Sequence, residues 1–224
     1  LELFVFCVNY SKYLKISLPL NKKHFDNILV ITTNEDLETQ NICNKNNVSY
    51  FCTDKFYANG SKFDSNMAMN YSLHKLKYKD WVVAACPDII YPNNFRELLK
   101  LESLDENTLY GVSRTFIPVL KDWIDLEHGI KNQSDFETVV GYGCGFTQIF
   151  SLNSDKLKGI PLEYVFPSNG QLTESDILMI KRFHPDVRDV GKLPIDIIHL
   201  GARYYGGTQR DDNNKEEIKD FFYH

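Results

Sequence analysis

Apolar residues in this chain come in short unbroken runs separated by polar stretches, the pattern of strands covered on both faces. Leu3-Phe4-Val5-Phe6-Cys7-Val8 is the first run and Ile28-Leu29-Val30-Ile31 the second. Val48 to Cys52 reads as a third strand, and Trp81-Val82-Val83-Ala84-Ala85 as the central one. Between them lie helical patterns. Tyr13 to about Leu18 follows Ser11, a residue suited to capping, and Pro19 ends or kinks that helix. Leu37 to about Lys45 follows the polar cap region Thr32-Thr33-Asn34-Glu35-Asp36, and Met67 to Leu76 carries Met69, Leu73 and Leu76 at helical spacing. Strand, helix, strand, helix, strand predicts a parallel sheet with right-handed crossovers.

The second half is less regular. A helix is expected from Asn93 or Asn94 to Leu101, a strand over Leu109 to Val112, mixed structure over Phe116 to His128, and loop over Lys131 to Thr138. Gly141-Tyr142-Gly143-Cys144-Gly145-Phe146-Thr147-Gln148-Ile149-Phe150 is a glycine-rich lead-in to a strand. After an irregular stretch from Gly159 to Gln171, Thr173-Glu174-Ser175-Asp176 opens a helix to about Phe183. Thr173 serves as cap, and the acidic residues suit the dipole. Ile195 to Leu200 is the last strand, and the polar tail from Gly201 is loop with a short terminal helix. The fold class is α/β, a Rossmann-like nucleotide-binding sheet, mixed and mostly parallel, flanked by helices. Neither a flexible linker nor a repeat interrupts it, so residues 1–224 form a single domain, with 1–113 a nucleotide-binding half and 114–224 an acceptor-side half.

Composition narrows the classes. Hydrophobic residues make up 43% of the 224 and charged residues 25%, a globular balance with material for one large α/β domain. A net charge of −5 argues against a broad basic face for bare nucleic acid. Cys7, Cys43, Cys52, Cys86 and Cys144 include no CxxC pair, which disfavours a zinc site or disulfide framework and fits a reducing, cytoplasmic location. No run approaches a membrane span or a signal peptide. The chain opens on Leu1 inside a strand-like run, as a trimmed chain or one domain of a longer protein would.

The chemistry gathers at strand ends. Asp80 to Pro92, DWVVAACPDIIYP, runs from a buried strand into Cys86-Pro87-Asp88, which puts a carboxylate at the C-terminal end of a core strand. Open α/β sheets bind ligands at that edge. Asn9 with Tyr10 and Thr33 with Asn34 end other strands of the same edge. Asp88 and His199 form a carboxylate–imidazole pair of the kind that suits Mn²⁺, with phosphate and water completing the shell. The competing readings are plain ones: Asp88 as a turn residue, His199 as a core histidine, Asp176 as a surface residue favoured by a helix N-terminus. As a functional group, Asp176 is a general base aimed into the cleft.

In their joint order these pieces resemble the family 2-like glycosyltransferases of GT-A fold. The matches are Ser17-Leu18-Pro19, Val30-Ile31-Thr32-Thr33, Thr53-Asp54-Lys55-Phe56-Tyr57, Phe63 with Asn70, the DWVVAACPDIIYP strand, GYGCGFTQIF, Ser175-Asp176 with Arg182, and His199-Leu200-Gly201. The resemblance spans about Val5 to Arg210. It implies transfer of a sugar from a UDP-, GDP- or dTDP-sugar to an acceptor hydroxyl, with inversion and with Mn²⁺ or Mg²⁺. The acceptor would be a glycan, a lipid-linked glycan, a protein or a modified nucleobase. Asp88 matches the last aspartate of the DxD motif, Asp176 the general base, and His199 a further metal ligand. Asn9, Tyr10 and Asn34 match positions that bind base and ribose, and Lys62, Arg203 and Arg210 are within reach of the diphosphate. Cys86 stands where the family has the first aspartate of DxD, and Asp64-Ser65-Asn66 replaces a common Asn-Lys-Gly. Cys86 favours the alternative, a degenerate GT-A module that binds a sugar nucleotide or glycan without turnover, and the retention of Asp88, Asp176 and His199 together argues against it. A nucleotidyltransferase would need a glycine-rich basic loop after the first strand, where this chain has Asn9-Tyr10-Ser11-Lys12-Tyr13. A dinucleotide oxidoreductase would need GxGxxG leading into a helix, and the only glycine cluster leads into a strand.

Overall fold

The computed structural model describes residues 1–60, 63–78, 80–139, 146–166, 175–185 and 190–201, without the side chains of residues 59 and 175–177. In chain order the elements are β1 (Glu2–Phe6), α1 (Ser11–Asn21), β2 (Asn27–Thr32), α2 (Leu37–Lys45), β3 (Ser49–Cys52), α3 (Ser65–Ser72), β4 (Trp81–Ala85), β5 (Ile89–Ile90), α4 (Phe95–Leu99), β6 (Tyr110–Ile117), α5 (Leu120–Glu127), β7 (Thr138–Val139), β8 (Thr147–Ser151), α6 (Ser175–Phe183) and β9 (Gly191–Leu200). The strands form one nine-stranded sheet in the order β3-β2-β1-β4-β8-β6-β9-β5, with β7 paired to β6. β1, β2, β3, β4, β6 and β9 run one way, and β5, β7 and β8 run against them. The first half is therefore the expected parallel unit, and the second half is mixed.

Both faces of the sheet are covered, which is why its central strands are continuous in apolar residues. In β1, Leu3 and Val5 join Leu14 and Leu18 of α1, Ile42 of α2 and Phe95 of α4 on one face. Phe4 points the other way, into a cluster with Met69 of α3, Leu73 just after that helix, and Met179 and Phe183 of α6. A third cluster, Ile117, Trp123 and Leu200 with Tyr13 and Ile90, packs α5 under the β6–β9 end.

Several boundaries differ from the sequence reading. Pro19 does not end α1; the helix runs on to Asn21. Pro19 is exposed. Burial of Ser17, Leu18 and Asn21 around it offsets a helix-interior proline cost of about 3 kcal/mol. Ser11 is the first helical residue rather than the cap, and Tyr10 occupies the cap position without a side-chain bond. The helix expected up to Leu101 ends at Leu99, because Lys100 turns left-handed at φ 46°. Phe116 to His128 resolves into the end of β6 and the amphipathic α5. The Asp36 cap of α2 is as expected: its carboxylate accepts from Thr39 N at 3.1 Å.

Far from the C-terminal strand ends, Glu2 anchors the opposite edge. Its carboxylate is fully buried and accepts from the amides of Lys77 (2.8 and 3.0 Å) and Tyr78 (3.2 and 3.3 Å) and from Asn27 Nδ2 (3.0 Å). Truncation would strand those donors in the interior. Glu2→Ala is expected to lose about 1–3 kcal/mol, read as a lower denaturant midpoint at unchanged slope.

Candidate active site

Asp88 is placed by α1. Ser17 and Asn21 lie one helical turn apart on the same face of α1, and both reach the segment after β4. Ser17 Oγ donates to Pro87 O at 2.5 Å. Asn21 Nδ2 donates to Ile89 O at 2.7 Å, and its Oδ1 accepts from Tyr91 N at 3.0 Å. The stretch Pro87 to Tyr91 is thus held on both sides of Asp88 by a helix. This also explains why polar residues occupy the buried face of α1. On the far side, Cys86 N donates to Phe146 O at 2.9 Å.

His199 comes from the C-terminal end of β9, where it lies opposite Ile89 of β5 and Phe116 of β6. Leu200 N donates to Asp88 O at 2.9 Å and Gly201 N to Ile117 O at 2.8 Å, which fixes this register. Gly201 has φ +100°, and a Cβ there would meet Tyr13 Oη at 3.0 Å, so only glycine lets the chain turn off the strand at this point. The result is a side-chain pair: His199 Nε2 and Asp88 Oδ2 are 3.2 Å apart, with the residues 2% and 1% exposed. Two residues more than a hundred positions apart meet at the ligand-binding edge of the sheet.

The sequence reading missed what surrounds the pair. The His199 ring lies 5.1 Å from Phe116 and 5.9 Å from Phe146, inclined by 31° and 27°. The Arg114 guanidinium sits over both phenyl rings, 4.7 Å from Phe116 and 4.2 Å from Phe146. The available signal was Ser-Arg-Thr inside an apolar strand, because a cation in a core strand is unusual without compensation.

The other expected site residues divide into three groups. Asn9 and Asn34 are exposed after β1 and β2, and Tyr10 is half-buried beside Asn9, its ring 5.7 Å from Tyr13. Asn9 is left-handed at φ 58°, a conformation asparagine tolerates well, and its amide donates to Asp36 Oδ2 at 2.8 Å. Asp36, absent from the sequence expectation as a site organiser, thereby ties the ends of β1 and β2 together. Asp176 is the second residue of α6, and its side chain lies outside the described residues. The approach to that helix is anchored: Asn70 exchanges two hydrogen bonds with the Phe166 backbone, at 2.6 and 2.7 Å, and Arg182 donates to the carbonyls of Tyr164 and Val165. Lys62, Arg203 and Arg210, with the Thr173 cap and the glycine run 141–145, lie outside the described residues.

Near the Asp36 cap, Cys7 Sγ meets Thr39 Oγ1 at 3.3 Å. Burial pushes Cys7 and Cys43 up to about 12, and Cys52 is raised for the same reason. The unfolded chain, with thiols near 8.5, loses these protons first as pH rises. It then binds fewer protons than the native state, so stability falls with pH. Full stability below about pH 8.5, declining toward 12, is expected in denaturation midpoints taken at pH 8 and pH 10. At pH 8, Cys7 and Cys43 should react with a thiol reagent only on unfolding.

The donor set fits a divalent cation. A carboxylate oxygen and an imidazole nitrogen are acceptable to Mn²⁺ or Mg²⁺, and two ligands of one octahedral ion at 2.1 Å lie about 3 Å apart. That matches the 3.2 Å between Asp88 Oδ2 and His199 Nε2. Among the described residues no third His, Cys, Asp or Glu joins them. Among the same residues, no helix is long and apolar enough to cross a membrane.

No family model matches the sequence, and no curated protein matches it. Solved structures do. Glucosyl-3-phosphoglycerate synthase from Mycobacterium tuberculosis, in complex with Mn²⁺, UDP and phosphoglyceric acid, matches with a TM-score of 0.54 at 13% identity, over 92% of this chain and 70% of that one. The same enzyme with Mn²⁺, UDP-glucose and phosphoglyceric acid matches with a TM-score of 0.54 at 13% identity, over 98% and 76%. At this identity the likeness establishes the fold: a single α/β domain of GT-A type.

Proposed function

We propose that this GT-A chain is a nucleotide-sugar-dependent glycosyltransferase of family 2-like type, with residues 1–113 holding the donor and 114–224 the acceptor. The observation that carries the reading is the Asp88–His199 pair, two buried metal-competent side chains 3.2 Å apart at the C-terminal edge of the sheet. The solved structures of the same fold were obtained with UDP or UDP-glucose and Mn²⁺, which makes UDP the first nucleotide to test.

Asp88 and His199 would hold a Mn²⁺ or Mg²⁺ ion, which when bound supplies positive charge to the leaving diphosphate. Asn9, Tyr10 and Asn34 would receive the base and ribose; Lys62, Arg203 and Arg210 would add cationic contacts to the diphosphate. Asp176 takes the proton of the acceptor hydroxyl as that oxygen bonds to the anomeric carbon and the carbon–phosphate-oxygen bond breaks, the electron pair leaving with the nucleoside diphosphate. A single base and in-line displacement invert the anomeric centre. Asn70 and Arg182 hold the backbone of Tyr164, Val165 and Phe166, and Arg182 itself belongs to α6, the helix that carries Asp176.

The test is incubation of the protein with UDP-, GDP- and dTDP-sugars and Mn²⁺, following free nucleoside diphosphate, with a chelator control. Release from one donor, abolished by chelation, is the expected result. Metal-dependent binding with no release, in the presence of glycan, lipid-linked and peptide hydroxyl acceptors, would identify a binding module instead, as Cys86 in the DxD position would then suggest.

A further inference from the structure

We propose that His24 is a proton-operated latch on the junction of α1 with α4, closed while its imidazole is neutral and opened when it takes up a proton. His24 ends a 3₁₀ turn, Lys22–His24, that continues α1 without a break. The residue is 3% exposed, and its ring meets that of Phe95 of α4 at 5.8 Å, inclined by 71°. Its carbonyl accepts from Arg96 Nε at 2.7 Å. Ring and backbone of one residue therefore close the seam between the two helices. Among the described residues, His24 Nε2 is buried without a hydrogen-bond partner. Buried polar atoms are nearly always bonded, so an orphan of this kind carries a cost that depends on its protonation.

A neutral imidazole keeps the cost small, because its unprotonated nitrogen leaves only a lone pair unused. An imidazolium would bury a charge and an N–H at the same spot. The charged groups on the elements packed here are Lys22 and Lys23 on the turn, Asp26 just after it, Arg96 and Glu97 of α4, and the Leu1 amine. Lys22 Nζ donates to Asn46 O at 2.6 Å and Lys23 Nζ to Asn93 Oδ1 at 2.5 Å. Asp26 is engaged by Arg96 at 2.6 Å and by the Leu1 amine at 2.8 Å, and Glu97 is exposed. Neither carboxylate accepts from Nε2. Burial, then Lys23, then Arg96 hold the imidazole below its ordinary value. An opened seam frees the imidazole to titrate near 6.5. As pH falls, the open state takes up the proton first and binds more protons than the closed one. The closed seam is therefore fully stable above about pH 6.5 and loses stability below it. The opening reaches further than the seam. Asn21, the last residue of α1, holds Ile89 O and Tyr91 N in the segment after Asp88. Acid thus slackens the helix end that holds this segment.

Native-state hydrogen exchange tests this without metal or nucleotide, and so stands apart from the donor reading. Three amides are followed as protection factors between pH 6.5 and pH 5. The Lys22 amide donates to Leu18 O at the end of α1, and the Tyr91 amide donates to Asn21 Oδ1. The Leu152 amide, bonded to Asp80 O at 2.9 Å, is the control away from the seam. In the wild type, Lys22 and Tyr91 are expected to lose protection relative to Leu152 as pH falls. One linked proton limits that loss to about tenfold per pH unit. His24→Leu has no proton to take up and is expected to keep the relative protection constant, as is His24→Gln. The effects of His184 and His199 are common to wild type and variants and cancel in the comparison. The imidazole of His24 in the wild type, followed by NMR, is expected to titrate below about 6.5. If neither variant folds, that titration and the wild-type exchange decide. Constant wild-type protection, an equal loss in a folded variant, a parallel loss at Leu152, or a His24 titration at or above its ordinary value would overturn the proposal.

Discussion

Asp88→Asn is expected to reduce metal-dependent donor turnover by about 10²- to 10³-fold, the usual cost of removing one electrostatic partner of a developing negative charge. Asparagine keeps the volume and can still meet His199 Nε2. The segment it sits in is held by Ser17, Asn21 and the Leu200 amide. The folded state should therefore persist, and a melting temperature near that of the wild type would separate lost chemistry from lost structure. Asp88→Ala is a poorer probe. It opens space beside a buried imidazole and leaves Nε2 without this acceptor, adding a cost of about 1–3 kcal/mol that has nothing to do with metal.

Asp176→Asn is expected to lower transfer by about 10²- to 10⁴-fold, the range of general-base contributions, with donor binding unchanged, since the role proposed for it is to deprotonate the acceptor. The same assay reads the stereochemistry. If Asp176 is the only base and the acceptor attacks opposite the leaving diphosphate, the first product seen by NMR carries the inverted anomeric configuration. Retention with normal Asp176 dependence would refute the in-line displacement and leave the donor site standing.

The front half of the fold was legible because each strand there is buried on both faces and each helix carries apolar spacing. Continuous runs such as Val82 to Ala85 admit few other readings. Asp88 and His199 were legible as chemistry at strand ends, and the register of β5 and β6 against β9 brings them together. What was not legible has a common cause. Ser17, Asn21, Asp36 and Arg114 act on segments distant in sequence, across elements, and nothing in the local pattern marks such partners. Pro19 misled because the cost of a helix proline is local, whereas the burial that offsets it is tertiary. In β6, Arg114 concealed a strand that its apolar neighbours would otherwise have announced through Ile117.

The most direct measurement is the thermal shift produced by UDP with and without Mn²⁺, on the wild type and on Asp88→Asn. A ligand that binds only the native state at a hundred times its dissociation constant adds about 2.7 kcal/mol of stability. The account predicts a rise in melting temperature for the wild type only when both UDP and Mn²⁺ are present, and none for Asp88→Asn. An equal rise in Asp88→Asn, or one that persists after chelation, would contradict it.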